Sequence, residues 1–156
     1  LRDEFEAILP GEETAALAKQ AKLFEEFIAE ETDAGRFSPD FKPISRKKAL
    51  LHGHCHQKAF AAMGAVEKTL RLVPELEVET VASSCCGMAG AFGYQEETYD
   101  ISLQMAEASL LPAVRAESDD SYIVADGTSC RHQIEDGTAR NALHVARILD
   151  EALASR

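Results

Sequence analysis

Lys48-Ala49-Leu50-Leu51-His52-Gly53-His54-Cys55-His56 is the stretch on which the reading of the fold turns. Its first six residues are a short apolar run that fits a buried strand, and a cysteine flanked by histidines follows at once. Two later stretches repeat the arrangement. Leu76-Glu77-Val78-Glu79-Thr80-Val81 alternates with period two, as a strand with one buried face does, and Cys85-Cys86 comes just after it. Ser121-Tyr122-Ile123-Val124-Ala125 is a third strand candidate, and Cys130 follows it.

Helical spacing fills the intervals. Phe60, Met63, Val66 and Leu70 share a face over residues 57–72, ending before Pro74. Ile101, Met105, Ala108 and Leu111 do so over 96–111, a helix that Pro112 should end or kink. Val145, Ile148, Leu149, Ala152 and Leu153 mark a C-terminal helix. Strand and helix alternate three times, which predicts an α/β fold, a parallel sheet with helices on both faces. The three cysteine-bearing loops would then leave the sheet at one edge, the carboxyl ends where such folds place their ligands. Asp126-Gly127-Thr128 recurs as Asp136-Gly137-Thr138, and both copies read as a turn with a helix N-cap rather than as a repeat architecture.

Upstream, Leu17, Ala21, Phe24, Phe27 and Ile28 predict one amphipathic helix over roughly 12–32. The run Gly35 to Pro43 has the Gly, Pro, Ser and Asp punctuation of a loop. The chain therefore divides into an N-terminal helical extension, 1–47, and a cysteine-rich functional core, 48–156. All four cysteines and all five histidines lie in the second part.

Composition narrows the function. The 156 residues are 46% apolar, enough for one globular domain with a real core. Sixteen Lys and Arg against 27 Asp and Glu give a net charge of −11, which excludes a general nucleic-acid binder and argues against docking on anionic lipid. No run approaches 18 consecutive apolar residues. The charged opening Leu1-Arg2-Asp3-Glu4-Phe5 has neither a signal-peptide pattern nor a start methionine, and reads as a piece of a longer polypeptide.

Four thiols converging on one crevice suit an iron–sulfur cluster or a tetrahedral zinc site. A redox thiol, a vicinal Cys85–Cys86 disulfide and four unrelated buried thiols are the other readings. The adjacent pair Cys85-Cys86 favours a cluster, because neighbouring thiols reach two metal atoms more readily than they chelate one small ion. Gly87, Gly90 and Gly93 leave room for a bulky inorganic group. The same glycines mimic a phosphate loop only weakly, since the Gly-x-Gly opening and the Gly-Lys-Ser/Thr ending are both missing. Among the histidines, His54 and His56 are candidate extra ligands or donors to cluster sulfur, and His132 is the one expected nearest the metal. His52 and His144 are expected to be structural. Arg131 and Lys58 lie near the crevice, where Lys58 reads as solvated surface charge.

His54-Cys55-His56, Cys85-Cys86-Gly87 and Cys130 resemble the cysteine-rich CCG domain of heterodisulfide reductase subunits, glycolate oxidase iron–sulfur subunits and FAD-linked 2-hydroxy-acid dehydrogenases. The stretches Leu51 to Ala59 and Gly127 to Ile134 look most like one branch, the C-terminal region of large fused proteins that join an FAD domain, a ferredoxin-like segment and this module. D-lactate and D-2-hydroxyglutarate dehydrogenases are of that kind. The resemblance covers about residues 48–154 and implies that Cys55, Cys85, Cys86 and Cys130 hold an iron–sulfur cluster, or zinc as in some relatives. The family's terminal Cys-x-x-Cys is here Cys130-Arg131-His132-Gln133, so a fifth thiolate is missing. That departure points away from the non-cubane form and toward a [4Fe-4S] cubane, with His132 offering a further ligand. The function implied is electron transfer from flavin to an acceptor within an oxidoreductase. The FAD sits on another domain, and the FAD-binding and ferredoxin-like domains of the parent are the partners. By itself the fragment is expected to lack activity. The rival reading is a zinc-stabilised structural or interaction domain. A cytoplasmic location, peripheral to the inner membrane through the parent enzyme, is the corresponding expectation.

Overall fold

The computed structural model describes residues 1–83 and 85–154. Among these residues, four parallel strands form the centre: β1 (Lys48–His52), β2 (Glu77–Thr80), β3 (Ser121–Ala125) and β4 (Ala142–Leu143), in the order β2-β1-β3-β4. The α/β parallel-sheet fold expected from the alternation is the fold observed. β1 and β3 are the central pair, in register from Lys48 opposite Ser121 to His52 opposite Ala125. Both are buried almost throughout, as strands covered on two faces must be.

The helices around the sheet are α1 (Glu4–Ile8), α2 (Glu12–Gln20), α3 (Phe24–Asp33), α4 (Cys55–Ala59), α5 (Met63–Leu70), α6 (Glu96–Glu107), α7 (Leu110–Ala116), α8 (Thr128–Thr138) and α9 (Val145–Ala154). They divide the core in two. Ala49, Leu51, Tyr122 and Val124 point to the face covered by α5 and α9, where Val66, Leu70, Val145 and Ile148 pack. Leu50, Ile123 and Ala125 point the other way, onto Leu110 and Val114 of α7 and Ile134 of α8. Cys86 and Cys130 belong to this second core. Period-two alternation along β1 and β3 thus decides which residues face the thiols.

Several elements differ from the sequence expectation. The helix expected over 12–32 is two helices, because Ala21 and Leu23 are extended and Glu26 Oε2 accepts from the Leu23 N–H at 2.9 Å, starting α3 afresh. Phe24 and Phe27 stay exposed, and Glu25, Ile28 and Ala29 form the buried face. The helix over 57–72 is broken at Ala61, which adopts the left-handed φ of 54°. Pro112 neither ends nor kinks a helix. The preceding helix stops at Glu107, and Pro112 sits in the first turn of α7, where no intrahelical N–H is required of it. Asp136-Gly137-Thr138 is the last turn of α8 and not an N-cap, whereas Asp126-Gly127-Thr128 does open that helix. Among the described residues, no helix is long and apolar enough to cross a membrane.

Candidate metal centre

The thiols gather at the carboxyl edge of the sheet, and each arrives by a different route. β1 ends at His52, and after two residues Cys55 opens α4. His54 caps this helix: its Nδ1 accepts from the His56 N–H at 3.2 Å, and its own N–H donates to Gln57 Oε1 at 2.9 Å. Cys85 and Cys86 lie in the segment between β2 and α6. Cys130 lies in the first turn of α8, after Asp126 and Gly127. Two of the four cysteines therefore begin helices instead of occupying loops.

The four form two pairs. The Cys86 and Cys130 sulfurs are 3.2 Å apart and both residues are buried. Cys55 and Cys85 are half-buried and line the same cavity. A cavity of about 250 Å³ opens beside Cys55, Cys85 and Cys86, with His54, His56 and Gly90 also on its wall. Within the buried pair, the Cys130 thiol donates to Cys86, and this bond with the His52 ring behind it draws the Cys86 thiol far below the ordinary thiol range. Cys130 is pushed up in consequence, by donating that bond and by burial. Burial and then the neighbouring Cys85 thiol raise Cys55. One thiolate is thus favoured before any metal arrives, and the Gly87 N–H donates to the Cys85 sulfur at 3.3 Å.

His52 is the residue that sequence reasoning set aside. It is 1% exposed, its Nδ1 is 2.9 Å from Ser83 Oγ, and its buried Nε2 has no hydrogen-bond partner among the described residues. One ring nitrogen of His52 and the sulfurs of Cys86 and Cys130 all lie within 4.8 Å of one another. The signal was present in β1: His52 is two residues past Leu50, so both point to the cysteine-bearing face. His132 instead sits on the exposed side of α8, with Nδ1 2.9 Å from the Tyr94 hydroxyl. His54 and His56 pack edge to face at the cavity mouth, and burial, then His56, lowers the His54 pKa. Arg131 donates to the carbonyls of Ala125 at 3.0 Å and Asp126 at 2.6 Å, and Lys58 Nζ donates to the Ser83 carbonyl.

Close approaches hold these segments in place. Gly87 adopts φ +87°, and a Cβ there would overlap the Ser102 carbonyl oxygen on α6. A Cβ on Gly127 would collide with the His54 ring and come within 3.0 Å of the Cys130 sulfur. Gln133, standing where the resemblance would put a fifth cysteine, is buried and donates to Ser102 O at 3.3 Å and Oγ at 3.2 Å. It ties α8 to α6.

A cysteine-rich domain profile, CCG, matches residues 49–135. The chain belongs to this CCG cysteine-rich domain family. Among curated proteins, it is 31% identical over 154 residues to one of the subunits of the anaerobic glycerol-3-phosphate dehydrogenase of Escherichia coli K12, a match that covers 99% of this chain and 38% of that protein. It is 27% identical over 154 residues to D-2-hydroxyglutarate dehydrogenase of the same strain, covering 97% of this chain and 14% of that protein. The chain thus spans well under half the length of these relatives. No solved structure matches it significantly.

On the far side of His54 lies a second polar cluster. Glu25 of α3 is 3% exposed, and burial followed by the nearby Asp126 carboxylate raises its pKa from 4.5 to about 7. The folded state holds this proton more tightly than the unfolded chain does. Stability therefore falls as pH rises from about 4.5 to about 7, and the full penalty applies above that. Glu25→Gln is expected to raise the melting temperature at pH 8 and to leave it nearly unchanged at pH 5, both read by thermal melts in the presence of a chelator.

Proposed function

We propose that the chain is the iron–sulfur electron-transfer module of a flavin-linked dehydrogenase, with Cys55, Cys85, Cys86 and Cys130 as the cluster ligands. The observation that carries this is the convergence of four thiols, as one buried and one half-buried pair, beside a cavity at one sheet edge. The donor set fits: soft thiolates are what iron–sulfur clusters take, and one ring nitrogen of the buried His52 lies within 4.8 Å of the Cys86 and Cys130 sulfurs. A bound cluster would supply reversible one-electron chemistry. Cys86 and Cys130 would hold it from the core side and Cys55 and Cys85 from the open side. The Gly87 N–H on the Cys85 sulfur would favour the more negative state of that ligand. His52, fixed by Ser83, would present Nε2 as a ligand or as an N–H donor to sulfur.

The relatives support a dehydrogenase assembly, and glycerol 3-phosphate and D-2-hydroxyglutarate both carry a secondary alcohol. A 2-hydroxy acid is the substrate class we assign to the parent, with FAD and a ferredoxin-like centre on its other domains. The electrons would pass through residues 48–156, and the helices before residue 48 would serve as the extension through which that core meets its neighbours. A peripheral, cytoplasmic position of the parent at the inner membrane belongs to the same proposal.

A second reading has one specific observation in its favour. His52, Cys86 and Cys130 place three donor atoms within 4.8 Å of one another, close enough for a single zinc ion in a structural domain. Metal and sulfide analysis of the anaerobically purified parent protein separates the two. Iron and acid-labile sulfide with a brown chromophore that bleaches on reduction support the cluster. Stoichiometric zinc without a chromophore overturns it.

A further inference from the structure

We infer that Glu25, Asp126 and His144 form a second, oxygen- and nitrogen-donor site for a divalent cation such as manganese or zinc, separate from the cysteines. Their ligating atoms lie within 4.8 Å of one another, although the residues come from three separate parts of the chain. Glu25 comes from α3, Asp126 from the end of β3 and His144 from the residue before α9. All three line a cavity of about 230 Å³ that also touches His54 and Gln57.

The cluster is not simply two carboxylates on a surface. Glu25 is 3% exposed, lines this cavity, and its buried Oε1 has no hydrogen-bond partner among the described residues. A buried carboxylate oxygen in that condition lacks either a proton donor or a metal. The Gln57 side chain donates to Asp126 Oδ2 at 2.5 Å and lines the same cavity as Glu25, but an amide is neutral and leaves their charge uncompensated. Asp126 Oδ1 accepts from the Val145 N–H at 3.0 Å and lies 3.5 Å from His144 Nδ1, which accepts from the Ala146 N–H at 3.1 Å. The Val145 N–H fixes the aspartate as an outer-sphere partner fixes a metal ligand, the Asp126 oxygens keep lone pairs to spare, and a cation bound at His144 Nδ1 would take the lone pair that the Ala146 N–H now occupies. One imidazole and two carboxylates suit manganese, iron or zinc, with water completing the shell from the cavity. A cation here would tie α3 to the sheet edge, and His54 lines both this cavity and the one beside the thiols.

Manganese is the probe, because its preference for oxygen and nitrogen donors keeps it off the cysteines. The metal-free full chain is titrated with manganese chloride, and free ion is followed by electron paramagnetic resonance. Wild type and Cys86→Ser should each bind one equivalent, whereas Glu25→Gln and His144→Asn should bind about tenfold or more weakly. Glu25→Gln removes a buried charge at constant shape, so its fold survives. Manganese should also raise the melting temperature of wild type but not of this variant. Wild type that takes up no manganese, or Glu25→Gln that binds as wild type does, overturns the site. Loss of binding in Cys86→Ser also overturns it, because the ion would then sit on the thiols. Retention there supports it whatever group the cysteines hold.

Discussion

Cys86→Ser is expected to strip the chain of its iron–sulfur group while leaving the fold in place. Cys86 is the ligand that the surroundings prepare most completely: it is 3% exposed, touches the Cys130 sulfur at 3.2 Å, and is drawn toward the thiolate by Cys130 and His52. Serine is nearly isosteric, so packing against Ile134 and Met88 in the second core survives. Its hydroxyl is a hard donor that stays protonated at neutral pH and cannot replace a thiolate on iron. Iron content and visible absorbance after anaerobic reconstitution should fall by about tenfold or more, against a thermal melt that moves by only a few degrees. Full iron loading of Cys86→Ser would remove this cysteine from the ligand set.

Gly87→Ala should damage both the site and the fold. The position needs φ +87°, where an alanine is strained, and the new Cβ would overlap the Ser102 carbonyl oxygen. That carbonyl belongs to α6 backbone and also accepts from Gln133, so it cannot move without loosening α8, the helix that carries Cys130. Backbone strain and the displaced contact together should cost about 2 kcal/mol or more, read in chemical denaturation. Iron uptake should fall in parallel, since Cys85 and Cys86 immediately precede the displaced residue. A variant with unchanged denaturation midpoint and iron content would show that the close approach of this segment to α6 is dispensable.

The sheet was legible because its central strands carry the simplest signal in the chain. Ser121 to Ala125 is observed with the bounds expected, and Lys48 to His52 differs by one residue. The rest was lost for identifiable reasons. β4 has two residues, too few for any period. The buried face of α8 is Cys130, Gln133 and Ile134, a helical spacing that hydropathy does not register because only one of the three is a large aliphatic residue. The break between α2 and α3 depends on a Glu26 cap to the Leu23 N–H, which competes with continuation of the helix and wins without a glycine or proline to announce it. At the site, the family motifs pointed to the thiols, and the strand ends brought them together. His52 belongs both to the histidine run and to the inward face of β1, and only the register of the strand shows that it stands beside Cys86 and Cys130. Glu25 lay far from any motif, and only the docking of α3 brings it to Asp126 and His144.

Potentiometric titration of the anaerobically reconstituted chain, followed by visible absorbance and electron paramagnetic resonance, tests the central claim most directly. One cluster per chain should take up a single electron in one reversible step, with the chromophore bleaching as a paramagnetic signal grows, and Cys86→Ser should show neither change. A chain that binds zinc one to one and shows no redox-active chromophore at any potential would contradict the account.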